Sequence, residues 1–316
     1  MFSQSVATAG NRGNGQDPGT TLRVPATAYL MVDSFDRNQG GQYTDTTLTN
    51  VQPLNNFTIQ KRQTFVSGFF NRIALTEVRF PFVTPNINPL NNKIVVIDST
   101  AVSHTITITT GFYTPDELAA ELDNQLTAAI AGQTWAVAYN DETANFSITS
   151  NANFQLQPFQ YPSSARTLKG LFYMMGFFPQ AAALTAVGVP GPNMQYTAYV
   201  DICSRALTQF QQVKDNSTRE NQAPGVICRL YLNNFTNECL GDGGVGAKLT
   251  WPGCRQALVH RLFPVPKQSA WQPGQFVDAV DISLYDDVGD PLYYPDGAGG
   301  KICPADFQLS FELSEN

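Results

Sequence analysis

Charge is what this 316-residue sequence has least of: Asp, Glu, Lys and Arg together make up 14% of it, against roughly a quarter in ordinary soluble chains. Proteins that work by neutralising phosphates cluster Lys and Arg, whereas the net charge here is −7. No direct nucleic-acid binding is expected, and the adjacent Lys61 and Arg62 read as a solvated strand end. Histidine is scarcer still, with His104 and His260 alone. The five cysteines, Cys203, Cys228, Cys239, Cys254 and Cys303, stand far apart with no C-x-x-C pair. That spacing fits neither a zinc site nor a dense disulfide framework.

Long hydrophobic runs are missing too. The greasiest stretch, 168–190, is interrupted by Lys169, Gly170, Gly176, Pro179 and Gln180, so no membrane span is expected. The first 21 residues have no basic flank followed by an apolar run, and a signal peptide is not expected. A soluble intracellular product with reduced thiols follows, its sequons at Asn56, Asn145, Asn216 and Asn234 unmodified.

Catalytic patterns are absent as well. There is no G-x-x-x-x-G-K-S/T loop, no G-x-G-x-x-G in a βαβ setting, no G-x-S-x-G elbow and no H-E-x-x-H. "GDGGVGAK", 241–248, lacks the phosphate-loop spacing and reads as a surface loop. A nucleophilic pair drawn from Cys203 or Cys254 with His260 has no flanking signature. His104 shares a strand face with Ile106 and Ile108 and reads as a hydrogen-bonded, half-buried side chain. Asp281, Asp286, Asp287 and Asp290 in "DISLYDDVGDP" offer close oxygens for calcium, but not at EF-hand spacing. The structural reading is a turn in which Asp side chains bind local amides and Gly289 takes an unusual φ. Catalytic, cofactor-binding and metal-binding residues are therefore all expected to be none.

What fills the gap is Asn, Gln, Ser and Thr, with 24 Gly and 20 Pro, on a chain that is 42% apolar. Neutral polar side chains line buried contacts without the desolvation cost of ions, which suits extensive burial against other chains. Residues 1–21 contain few large apolar side chains and are expected to form a flexible arm. After them, short strand patterns recur between turn residues. "HTITITT" and "DFQLSFELSEN" alternate, the latter placing Phe307, Leu309, Phe311 and Leu313 on one face. "RIALTEVRFPF" changes phase near Glu77, which predicts a bulge. "WAVAY" and "NFSITS" flank "NDETA" as a hairpin. Many short strands with Pro/Gly-rich connections imply a sandwich or barrel.

One segment differs. In "GFYTPDELAAELDNQLTAAIAG", 111–132, Thr114 is an N-cap, Pro115 a first helical residue and Glu117 the partner of a capping box. Leu118, Leu122, Leu126 and Ile130 form one stripe, and Gly132 is the stop. The helix is predicted to lie on a sheet between strand "HTITITT" and strand "TWAVAY".

Five ordered segments, "IALTEVRFPFVTPNINPLNNKIVV", "ITITTGFYTPDELAAELDNQL", "LKGLFYMMGF", "YVDICSRALTQFQQVKDNST" and "DAVDISLYDDVGDPLYYP…DFQLSFELSE", resemble the minor capsid, or penton, proteins of virophages, polinton-like viruses and their giant-virus relatives. The resemblance implies an all-β fold: a single jelly-roll β-sandwich of eight strands, with an inserted α+β subdomain that carries one helix and projects outward. The expected organisation is an arm at 1–21, a discontinuous jelly roll at 22–92 and 160–316, and an insertion at 93–159. The implied function is that of a viral structural protein, with homopentamers at the icosahedral vertices of the virion. Its implied partners are copies of itself, a double jelly-roll major capsid protein and, further, other minor capsid proteins. Enzymatic activity is not implied. Two alternatives remain open on the residues alone: a trimeric fibre or receptor-binding protein, and a β-sandwich hydrolase using the 281–290 carboxylates.

Overall fold

The structure, a computed structural model, describes residues 5–8, 20–23, 27–38, 42–44, 47–49, 52–60, 64–66, 68, 70–82, 84–210, 225–232, 257–293 and 306–315. In chain order the first strands are Ser5–Thr8 (β1), Thr20–Arg23 (β2), Thr27–Asp33 (β3), Gln42–Thr44 (β4), Thr47–Thr49 (β5), Asn56–Gln60 (β6) and Arg72–Phe82 (β7). Next come Lys93–Ile97 (β8), Ser103–Thr107 (β9), a helix at Pro115–Ala129 (α1), Trp135–Asn140 (β10) and Asn145–Pro158 (β11). Two short helices, Ser164–Leu168 (α2) and Leu171–Met174 (α3), precede Ala183–Val187 (β12). The chain then runs through Tyr199–Cys203 (β13), Val226–Tyr231 (β14), Ala257–Leu262 (β15), Gln268–Ala270 (β16), Ala279–Asp286 (β17) and Gln308–Ser314 (β18).

Two compact units divide these elements. The first is Met1–Phe82, Tyr199–Tyr231 and Leu258–Asn316; the second is Val83–Ala198 and Leu232–Ala257. In the first unit two four-stranded sheets have the orders β15-β7-β18-β3 and β14-β13-β17-β6, with β16 also on β7. Numbered as the sandwich's own eight strands, these are 6-3-8-1 and 5-4-7-2. That interleaving, with first beside last, is the jelly-roll arrangement. The fold is an all-β single jelly roll; the larger segment of the second unit, Val83–Ala198, is inserted between its third and fourth strands, and Leu232–Ala257 between its fifth and sixth.

Alternation builds the sandwich core. In β18 Leu309, Phe311 and Leu313 are buried, and Phe307 just before it is too. The Phe307 ring meets Phe57 of β6 and Phe80 of β7 at centroid distances of 5.8 and 5.5 Å, so one side chain joins both sheets. The bulge is present in β7: Ser310 pairs with Glu77 and Phe311 with Leu75, leaving Thr76 over. The extra residue lets both Ile73/Leu75 and Val78/Phe80 point inward.

Within the segment expected to be a flexible arm, β1 and β2 pair antiparallel, Ser5 opposite Arg23 and Thr8 opposite Thr20. The second compact unit, Val83–Ala198 with Leu232–Ala257, is wider than the expected insertion at 93–159. The reason is packing. Leu171, Phe172, Met174, Met175 and Phe177 share one core with the α1 stripe and with Ile94, Phe146 and Ile148. β12 extends the sheet by pairing with β11, Ile148 opposite Ala186. Gly176 (φ +83) turns the chain where a Cβ would stand 2.7 Å from the Val189 carbonyl oxygen.

Upstream, buried asparagines organise the entry loop. Asn88 donates to the Pro85 carbonyl, Asn91 to that of Asn86 and Asn92 to that of Ile108, at 3.1, 2.7 and 2.7 Å. These neutral side chains satisfy loop backbone that no sheet reaches, which accounts for part of the chain's low charge.

Candidate functional site

The carboxylates of 281–290 do not converge. Asp281 accepts from the Ser204 hydroxyl (2.7 Å) and from the backbone N–H groups of Arg205 and Ala206 (3.0 and 2.8 Å), which pins the loop after β13. Asp286 lies five residues along β17, about 17 Å at strand rise, and on the opposite face parity. Its Oδ1 accepts from the N–H groups of Val288, Gly289 and Asp290 at 2.9, 3.0 and 3.1 Å. Gly289 takes φ +92. This is the turn chemistry read from the sequence, in which one carboxylate gathers three amides. Among the described residues no three His, Cys, Asp or Glu side chains are arranged to hold a metal ion.

The cysteine and histidine candidates are likewise apart. Cys203 on β13 and Cys228 on β14 are free thiols, and burial pushes each up to about 12. A thiol held protonated is a poor nucleophile. His260 lies on β15, in the other sheet, with Nε2 2.8 Å from Glu77 Oε1. Cys254 and the 241–248 loop fall outside the described residues. His104 is half-buried, its Nε2 2.9 Å from Asp98 Oδ2. That imidazole, with the Thr100 hydroxyl and the Val102 N–H, holds the Asp98 carboxyl well below the usual range. The pair closes the β8–β9 turn.

The helix α1 is structural in its geometry. Glu117 N–H donates to Thr114 Oγ1 (3.1 Å) and Thr114 N–H to Glu117 Oε2 (2.9 Å), so its first amides are occupied. Leu118, Leu122 and Leu126 are fully buried against the sheet. Asp123 Oδ1 accepts from Val137 N–H of β10 at 3.1 Å.

The remaining candidate site is the outside of the jelly roll, where the two faces differ. On the β14-β13-β17-β6 face, Arg229 bonds Asp201 through Nε and an Nη at 2.7 and 2.9 Å. Its guanidinium lies 3.9 Å from the Tyr199 ring centroid, and Tyr231, 54% exposed, stands next to Tyr199. Asp201 raises the Arg229 pKa by its hydrogen bonds, against the cost of burial. On the β15-β7-β18-β3 face the exposed large apolar side chains are Met31 (75%), Leu262 (68%) and Tyr29 (64%). Tyr29 and Met31 are neighbours on the edge strand β3, whereas Leu262 stands on the opposite edge strand β15. No motif marks Tyr29 and Met31 in the sequence. The signal was available in "TAYLMVD", which is apolar at Leu30 and Val32 on one side and at Tyr29 and Met31 on the other, the mark of a strand covered on both faces.

No protein-family model matches the sequence, and no curated protein matches it. Among solved structures the chain is similar to the mavirus penton protein in its selenomethionine-labelled crystal form, with a TM-score of 0.44, 9% identity, and 90% of this chain and 99% of that chain covered. It is similar also to a chain of the Sputnik virophage structure obtained by cryo-electron microscopy, with a TM-score of 0.39, 11% identity, and 92% and 98% covered.

Proposed function

We propose that this chain is a viral structural protein, a minor capsid protein that acts at the vertices of an icosahedral virion. Five copies close a ring there, beside a double jelly-roll major capsid protein. The observation that carries the reading is the eight-strand jelly-roll order with apolar side chains exposed on both outer faces. Such a body has two unlike flanks, and a flank that meets the opposite flank of its neighbour generates a closed ring when the rotation suits. Met31, Leu262 and Tyr29 lie on one flank, and Tyr231 with the Tyr199–Arg229 stack on the other. Each contact is expected to bury about 1,200 to 2,000 Å² in total, the size of stable non-covalent interfaces. The five ordered segments noted in the sequence support the same reading. The role proposed is assembly: among the described residues Cys203 is buried and Cys228 partly so, Asp281 and Asp286 hold local backbone, and both histidines bind carboxylates.

Light scattering coupled to size exclusion tests the stoichiometry. Five copies of a 34.6 kDa chain give about 173 kDa, whereas about 104 kDa would mark the trimer of a fibre protein. Density for this chain away from the fivefold corners of an imaged particle would overturn the proposal.

A further inference from the structure

We infer a binding site for a neutral polyhydroxylated ligand, a hexose-type glycan, on the β15-β7-β18-β3 face of the jelly roll. A depression of about 370 Å³ opens there, lined by Glu77, Arg79, His260, Gln308 and Ser310. Register explains its shape. Ser310 sits opposite Glu77 on one side and Met31 on the other, while Gln308 sits between Arg79 and Asp33. Ser310, a small outward side chain, is thus flanked by the longer Glu77 and Met31, and the hollow forms above it.

The groups around it are partly engaged, and what is left open defines the ligand. Glu77 uses Oε1 on His260 and keeps Oε2. Gln308 gives its amide N–H to Asp33 Oδ2 at 3.0 Å and keeps its carbonyl oxygen. Arg79 is exposed and makes no hydrogen bond or ion pair among the described residues, so its guanidinium donors are open. The hollow therefore offers a planar pair of donors, a carboxylate acceptor, an amide oxygen and a hydroxyl within one small area. Vicinal hydroxyls, each both donor and acceptor, match that mixture. A lone anion or cation does not, because Glu77 and Arg79 offset each other. Met31, 75% exposed beside Ser310 in register, supplies an apolar rim for the C–H face of a sugar ring. The volume falls within the range of small-molecule sites.

The hollow lies on one of the two flanks proposed to meet a neighbouring copy, so the inference rests on that contact leaving the space over Ser310 open; solution mass reports the assembly and saturation transfer the glycan, so the two readings fail separately. Saturation-transfer-difference NMR on the full chain, with methyl α-mannoside, methyl α-glucoside and methyl β-galactoside as probes and 3′-sialyllactose as the charged comparison, tests it. At least one neutral glycoside is expected to show ring-proton transfer. Ser310→Phe, which fills the hollow, and Arg79→Ala are each expected to weaken that binding about ten-fold or more, the scale of one lost charge-assisted contact. Solution mass and thermal midpoint report independently that each variant is folded and assembled. No transfer to any neutral glycoside overturns the inference, as does binding that ignores both substitutions or a response to sialyllactose alone. So does Ser310→Phe breaking the assembly of a chain that binds no glycoside, which would assign the face to a neighbouring copy.

Discussion

Asn86 and Tyr113 face each other as if both were backbone. The Asn86 side-chain amide donates to the Tyr113 carbonyl at 2.8 Å and accepts from the Tyr113 N–H at 2.9 Å. Beside them Ile87 and Gly111 form a true two-bond bridge, at 3.2 and 3.0 Å. The side chain thus adds a rung to a ladder that ends just before the Thr114 N-cap, fixing where α1 begins.

Asn86→Ala removes both bonds and leaves a buried donor and acceptor behind. A loss of about 1 to 3 kcal/mol is expected, read as a lower midpoint in urea. Asn86→Asp is expected to be worse, since it keeps an acceptor, loses the donor and buries charge.

At the next residues the capping box makes a graded prediction. Thr114→Ala is expected to cost about 1 kcal/mol, and Glu117→Gln much less, because Gln still reaches the N-cap amide. Circular dichroism through a denaturant series separates the two.

Acid sensitivity is expected at the β8–β9 turn. Asp98 is held well below its usual range by His104, then Thr100 and Val102. A depressed carboxyl contributes stability that is full above its unfolded value, about 3.9, and is lost as pH falls through the folded value. The loss therefore belongs below about pH 4. Asp98→Asn is expected to flatten that part of a stability-versus-pH curve and to lower the plateau at neutral pH.

The thiols supply a chemical check. With Cys203 and Cys228 pushed up to about 12 by burial, iodoacetamide at neutral pH is expected to leave both unmodified in the folded chain and to modify both in denaturant. Peptide mass mapping reads this directly. Rapid alkylation of Cys203 in the native state, slowed by His260→Ala, would revive a nucleophilic pair.

Calcium is expected to leave the 281–290 turn indifferent. Asp286→Ala strips three amides of their acceptor and is expected to lower stability by about 1 to 3 kcal/mol. Added calcium is expected to leave the melting temperature of the parent chain where it was.

Legibility followed the range of the interactions. The helix could be read because its signals, Thr114, Pro115, Glu117 and the leucine stripe, lie within one segment, and it occupies Pro115–Ala129. The β7 bulge and the inward face of β18 were visible for the same reason, each being a matter of alternation. The hairpin register was also local, with Tyr139 opposite Phe146 and Val137 opposite Ile148. Sheet order is not local: nothing near Thr27 announces that Ser314 will lie beside it. Nor does periodicity show that "LKGLFYMMGF" joins the α1 core, which widens the second unit beyond 93–159. The asparagine loop hid behind a composition that reads as surface. The hollow over Ser310 draws Glu77, His260 and Ser310 from three strands, and no spacing rule connects them.

The placement of β18 has a consequence for the order in which the molecule is born. It lies between β3 and β7, so neither of those strands gains its central neighbour until almost all the described chain has been synthesised. The inserted unit has its core elements within one continuous stretch, Val83–Ala198, and its short loops favour early, rapid closure. A nascent chain thus carries a finished insert on an open half-sheet. Termination just before Gln308 would leave β3 and β7 as exposed strand edges, a template for aggregation and not for a shell.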